Sequence, residues 1–410
     1  MTPTDGRTAV AAVFGTEWRN GLALLRELGR AGIEVLALSD KESSLGFRSR
    51  YAAERHLHPD PMDEPDEFLA WLRGFGEEQS AQGRVIVPFP TSDLLVSIFA
   101  RHMESLPGFR CPFPSWSVVA GCLDKESQVR AALEVGVPAP KTYFSESLGD
   151  LHRDLDDGAV QFPLLLKQRE SYTREAFDDA GLRRFRAVPL PDRGRLEEVI
   201  RTVESASVPF LIQEVIPGSD DALYTLGSYM NREGVILSGF TGRKLRQKPP
   251  KFGIARVAES VDAPSLFDLG AALLQRLGFF GISQVEFKLD SRDDTFKLIE
   301  VNPRSWSWIG LGPRTGARIA VAAFRDTVGL PVSPQKGSGR YRWICLADDL
   351  VASIQHRDAV PFLSLLHPTK GISEAYLSVT DPRPGIAHVW GEISGVIGNR
   401  LKRRGHRPPP

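Results

Sequence analysis

The sequence predicts an α/β protein with an N-terminal open parallel sheet, a larger central unit and a C-terminal accessory region. Three observations carry this. A strand, a helix and a strand follow one another directly at the N-terminus; apolar strand-like runs recur through the middle; and two such runs, Val285-Glu286-Phe287-Lys288 and Lys297-Leu298-Ile299-Glu300-Val301-Asn302-Pro303-Arg304, each carry an acid. At 410 residues the chain exceeds what one core usually supports, so two or three domains are expected.

Thr8 to Gly15 is a continuous apolar run, Gly21 to Gly29 has helical periodicity, and Ile33 to Leu38 returns as a strand, which makes a β-α-β unit and implies parallel pairing. Arg84 to Pro88 reads as a later strand of the same sheet, with Thr91-Ser92-Asp93 as a helix start before an apolar helix from Leu94. The turn after the first strand has no GxGxxG, so a dinucleotide site has little support.

Beyond Pro112 and Pro114, the pattern predicts a helix from Ser117 to about Val135 that contains Asp124-Lys125 and ends at Gly136-Val137-Pro138. Phe162 to Lys167 is an apolar strand ending on a lysine, and Pro209 to Gly218 is a strand entering a Pro-Gly turn. Tyr224 to Met230 and Gly234 to Phe240 flank a turn and precede Gly242-Arg243-Lys244. Leu266 to Gly278 is an amphipathic helix leading to the acid-bearing runs.

In a strand, positions 300 and 302 face the same way. If Gln284 to Leu289 and Phe296 to Val301 pair across the Asp290 to Asp294 turn, Glu286 and Glu300 converge. Together with Asn302 they form an all-oxygen set suited to Mg2+. The competing reading is a surface hairpin flanked by two acids. Against it, the acids stand in apolar runs, where two neighbouring carboxylates are costly without a cation.

Composition excludes several classes. Lysines plus arginines equal aspartates plus glutamates, 51 of each, so no overall field recruits nucleic acid or a membrane. There is no apolar run long enough for a membrane span, and the N-terminal residues do not read as a signal peptide. Cys111, Cys122 and Cys345 share no metal-ligand spacing, and a cytoplasmic location is expected. His56 and His58 read as a solvent-facing strand end, and Arg400 to Arg407 as a disordered basic tail.

Taken in order, Asp124-Lys125, Leu166-Lys167, Gln213-Glu214-Val215-Ile216-Pro217-Gly218, Lys244, Glu286 and Glu300-Val301-Asn302-Pro303-Arg304 resemble the ATP-grasp superfamily. Within it, Gly242 to Gln247, Phe252-Gly253 and the C-terminal extension look like the bacterial carboxylate-amine ligases that include D-aspartate ligase-like and peptide natural-product enzymes. The resemblance implies a pre-ATP-grasp domain over 1–113, an ATP-grasp domain over 114–332 with a mobile lid at about 140–209, and an accessory region over 333–410.

It further implies ATP as a substrate, with Mg2+, or alternatively Mn2+, as the metal. Lys125 and Lys167 would meet the phosphates, Gln213, Glu214 and Val215 the adenine edge, and Asp221, in preference to Asp220, the ribose. Lys244 would approach the transferring phosphate, and Glu286, Glu300 and Asn302 would hold the metal. Arg304 would meet the phosphoryl group or the acyl-phosphate oxygen. From its place between Lys244 and the hairpin, Arg256 reads either as reaching a substrate carboxylate or as a surface strand arginine.

The implied activity is ATP-dependent joining of a small-molecule carboxylate to an amine, with an amino acid among the substrates, through an acyl phosphate. Activation with a thiol or other acceptor, and a non-catalytic ATP-binding module, are the alternatives. Nucleic acid and membranes are not expected as partners, and a homo-oligomer is left open. One departure from the family stands out: no glycine-rich loop precedes the adenine strand, and Arg169, Ser171, Tyr172, Thr173 or Arg174 would take over its phosphate contact. Trp306 and Trp308 would either wall a substrate pocket, with Arg314 beside them, or pack in a core below surface arginines.

Overall fold

The N-terminal apolar runs form the parallel sheet that their pattern predicts. In the computed structural model, which describes residues 7–170, 187–206, 209–249, 253–356, 371–391 and 394, β1 (Thr8–Phe14) lies between β2 (Val35–Ser39) and β4 (Arg84–Pro90), with β3 (Glu54–Leu57) outside β2. All three pairings are parallel. Every residue of β1 after Thr8 is buried, as expected for a parallel strand covered on both faces. One cover is α1 (Arg19–Arg30), which buries Leu22, Leu24, Leu25 and Leu28. The chain leaves β1 through Gly15 at φ 80°, where a Cβ would lie 2.1 Å from Thr91 Oγ1, so only glycine fits this close approach.

His56 is paired with Glu54 at 3.0 Å. His58 does not face solvent: it is buried against Phe14, Phe68 and Trp71, and its apolar ring face gains more from that aromatic cluster than from water.

The predicted single helix from Ser117 to Val135 is two. The first, α2 (Trp116–Leu123), stops at Asp124, which is extended and caps α3 (Lys125–Glu134) by accepting the Glu126 N–H at 3.2 Å. Aspartate competes with a helix by bonding nearby amides, so it favours the cap over the interior. Lys125 therefore opens a helix rather than sitting mid-face.

A four-stranded antiparallel sheet follows in the order β5 (Thr142–Phe144), β8 (Phe210–Glu214), β6 (Leu164–Gln168), β7 (Val188–Leu190). It packs its own apolar core of Leu151, Leu164, Leu166, Leu196, Val199 and Val203. The large sheet has eight strands, with β13 (Thr295–Asn302), β12 (Gly281–Asp290), β9 (Leu223–Met230), β10 (Ile236–Lys248) and β11 (Ile254–Ser260) adjacent in that order. β10 runs well past Phe240, so Lys244 is a strand residue. Residues 335–374 contribute the other three strands.

Trp306 and Trp308 are buried with Phe240 in the core beneath α1. Trp306 packs against Gly227, where a Cβ would stand 2.0 Å from the indole. Arg314 is exposed. The core-packing reading of the tryptophans therefore holds. Among the described residues, no helix is long and apolar enough to cross a membrane.

Candidate active site

The β12–β13 hairpin is not a regular ladder. From its turn, Asp290 faces Thr295, Lys288 faces Lys297 and Phe287 faces Leu298; continuing that register would set Ile299 against Glu286. Instead Glu286 lies opposite Glu300 and Gln284 opposite Asn302, with Ile299 as the extra residue of a bulge. Packing explains the bulge. Leu298 and Val301, three residues apart, are both buried in one core with Val285 and Phe287, which a strict two-residue period forbids. Slipping one residue lets both reach the core and turns Glu300 onto the face of Glu286.

Cations from distant elements meet these acids. Lys244 Nζ lies 2.7 Å from Glu286 Oε1, and Lys125 Nζ 3.5 Å from Glu300 Oε1. Gln284 donates to Glu286 Oε1 at 3.0 Å, and Asn302 Nδ2 donates to Gln284 Oε1 at 3.3 Å. The amide oxygen of Asn302 accepts from Arg304 at 3.4 Å. Glu286, Glu300 and Asn302 thus offer only oxygen donors on one sheet face, a hard set that fits Mg2+. Among the described residues, no group of three or more His, Cys, Asp or Glu is arranged for a metal; here the third oxygen belongs to an amide.

Lys125 is fixed by the start of α3. Asp124 accepts from Ser127 Oγ at 2.8 Å and from Arg169 Nε and Nη2 at 2.9 and 3.0 Å. Arg169 also reaches Glu126 at 2.7 Å. Arg169 is therefore engaged with both acids at the start of α3. Its grip ties the end of β6 to the start of α3 and sets Lys167 near Lys125.

Lys167 donates to Gln213 Oε1 at 2.6 Å, and Gln213 donates to Thr142 Oγ1 at 2.9 Å. Desolvation pulls the Lys167 ammonium down to about 8, with Glu300 and Glu286 opposing and Lys125 adding to the fall. Next to it, Glu214 accepts the Lys141 N–H at 2.9 Å and pairs with Arg292 at 3.1 Å, while Val215 is half-buried. Asp221, in the short turn Asp220–Ala222, is exposed, bonded to Ser219 and 3.9 Å from Arg243.

Arg304 is held by Asp93 at 2.6 and 3.2 Å. Burial works against its charge, but Asp93 keeps the guanidinium firmly protonated. Arg256 is buried and lies 3.1 Å from Asp349, which also meets Arg246 at 2.7 Å. The contacts therefore bring Lys125, Lys167, Lys244, Glu286, Glu300, Asn302 and Arg304 together, and Asp349 joins Arg256 of β11 to Arg246, two residues beyond Lys244 on β10. Ser171, Tyr172, Thr173, Arg174, Phe252 and the basic tail lie outside the described residues.

Sequence reasoning missed Gln284 and Asp93. Gln284 had a signal, standing two residues before Glu286 and so on the same strand face. Asp93 had only the pattern of a helix start.

No known family model matches the chain. A D-aspartate ligase from Enterococcus faecium is 24% identical over 242 residues, which span 57% of this chain and 56% of that ligase, so the match covers only a little over half of the relative. Among solved structures, an L-amino acid ligase from Bacillus licheniformis superposes with a TM-score of 0.57 at 17% identity, over 78% of this chain and 74% of that one. A biotin carboxylase from Campylobacter jejuni gives 0.62 at 15% identity, over 82% and 74%. The fold is the ATP-grasp fold.

Proposed function

We propose that this chain, with its ATP-grasp fold as the premise, is an ATP- and Mg2+-dependent ligase that joins a carboxylate to an amine. The observation that carries the reading is the Glu286–Glu300 pair, brought face to face by a bulge and countered by Lys244 and Lys125 from separate elements. The D-aspartate ligase and the L-amino acid ligase among its relatives support an amino acid as one substrate.

A carboxylate is a poor acyl donor because oxide is a poor leaving group. Attack of a carboxylate oxygen on the terminal phosphorus of ATP releases ADP and gives an acyl phosphate. Attack of a neutral amine on the acyl carbon then forms the amide and expels phosphate, which takes the proton lost by nitrogen. All the reacting oxygens are anionic, so rate comes from positioning and charge neutralisation.

Lys125 and Lys167 hold phosphate oxygens as point charges, and Lys244 meets the transferring phosphate. Glu286, Glu300 and Asn302 would hold Mg2+, which when bound neutralises charge across the phosphate oxygens. Arg304 steadies the phosphoryl group. Gln213, Glu214 and Val215 line the adenine edge, Asp221 meets the ribose, and Arg256 with Arg246 provides the substrate-side charge. The small sheet serves as the lid that keeps water from the acyl phosphate.

Incubation with ATP, Mg2+ and mixed amino acids tests the reading. ADP and phosphate are the expected products; AMP and pyrophosphate, or ATP binding without turnover, contradict it.

A further inference from the structure

Arg304 is the expected phosphoryl-binding cation, yet each of its guanidinium nitrogens already donates to the protein. Nε donates to Asp93 Oδ1 at 2.6 Å. Nη2 donates to Asp93 Oδ2 at 3.2 Å and to Asn302 Oδ1 at 3.4 Å, and Nη1 donates to the Ser305 carbonyl at 3.0 Å. Asp93 comes from the N-terminal sheet, 211 residues away in sequence, at the first turn of the helix Asp93–His102.

The loop that carries Asp93 is itself fixed. Ser92 caps its helix by accepting the Leu95 N–H at 3.2 Å. Buried Asn20 of α1 donates to the Thr91 carbonyl at 2.9 Å and to Ser305 Oγ at 3.0 Å, which sews the residue two before Asp93 to the residue after Arg304. Both sides of the Asp93–Arg304 pair are thereby joined through one asparagine. A two-pronged carboxylate grip removes the rotational freedom of a long side chain before any ligand arrives. Such a preset charge favours a reaction in which charge moves between phosphate oxygens.

We propose that Asp93 is a positioning residue of the catalytic centre, supplied by the N-terminal sheet to hold Arg304 against Asn302. The proposal rests on the ligase reading above. It gives the N-terminal unit a part in phosphoryl transfer: Asp93 sets the angle of Arg304, and Arg304 in turn orients the amide oxygen offered to the metal. The plainer role, a carboxylate that favours its own helix N-terminus and clips two units together, predicts a loss of stability alone.

The test compares full-length wild type with Asp93→Asn, Asp93→Glu, Arg304→Ala and the double variant Asp93→Asn/Arg304→Ala. MgATP affinity, ADP formation with mixed amino acids and melting temperature are measured on each. For Asp93→Asn we expect MgATP affinity close to wild type but kcat lowered about 100-fold, the scale of a misplacement of ~1 Å. Asp93→Glu recovers part of that rate, and the double variant is no slower than Arg304→Ala, because the two residues act as one unit.

Three outcomes overturn the proposal: a wild-type rate in Asp93→Asn, losses that multiply in the double variant, or a lower melting temperature with an unchanged rate per folded molecule. Failure of the ligase reading looks different, since wild type itself then forms no ADP with any amino acid.

Discussion

The two ends of the β12–β13 hairpin carry similar side chains to opposite effect. At the turn, buried Asp290 is bonded by Arg292 and Lys297, two and seven residues along the chain. Arg292 above all holds the Asp290 carboxyl well below the usual carboxylate range. At the open end, Glu286 and Glu300 lean on Lys244 and Lys125, which arrive from other elements. Partners close in sequence saturate an acid and close the turn. At the open end each glutamate meets a lysine brought from far along the chain, Glu286 with Gln284 beside it, and the proposed function has a metal draw on these carboxylates.

The sharpest break of that contrast is Glu300→Gln. Turnover, read as ADP formation, should fall by about 10³-fold, the scale of removing one charged group from a reacting centre, while the melting temperature holds. Deletion of Ile299 tests the bulge: it restores a regular ladder in which Leu298 stays opposite Phe287, Glu300 follows opposite Glu286 and Val301 stays opposite Val285. Metal-dependent nucleotide binding should be kept, and its loss would show that the bulge itself is needed to set the two acids. Leu298 and Val301, then two residues apart, both still reach the core, so urea unfolding should show no loss on the scale of a core truncation, about 2–4 kcal/mol. Ile299→Ala keeps the extra residue and should keep nucleotide binding.

At the other end, Asp290→Asn should lower stability by about 1–3 kcal/mol and leave turnover per folded molecule intact. Because the folded carboxyl titrates below its unfolded value, this contribution is complete above about pH 4. It is lost as pH falls through the lowered value, and the gap between wild type and variant should close in acid melts.

The smallest effect concerns Lys167, whose ammonium is lowered to about 8. MgATP affinity should decline as pH rises through that value, and Lys167→Arg should remove the decline. The sign for stability is the same as in the carboxylate case, since both folded values lie below the unfolded ones. The native lysine sheds its proton before the unfolded one, so Lys167 makes the fold more stable, not less, as pH climbs from about 8 toward about 10.5.

Much of this was legible in the sequence. The run from Thr8 to Gly15 is apolar throughout because its strand is covered on both faces, and that pattern announces a parallel sheet. The order of Lys125, Lys167, Lys244, Glu286 and Glu300 survives as a spatial cluster. What escaped was set by competition between levels. The bulge at Ile299 depends on two side chains reaching a core that the local pattern does not display. The break at Asp124 is a contest between cap and helix that Arg169, far along the chain, helps to decide. Asp93 reads as a helix start because its second partner lies across an interface between units.

The central claim is that the open end of the hairpin holds the metal of an ATP site. The direct measurement is calorimetric titration of a non-hydrolysable ATP analogue into wild type and Glu300→Gln, each with Mg2+ and with EDTA. The account predicts that wild type binds more tightly with Mg2+ by at least about 10-fold and that Glu300→Gln is indifferent to Mg2+. Equal Mg2+ dependence in the two proteins would contradict it.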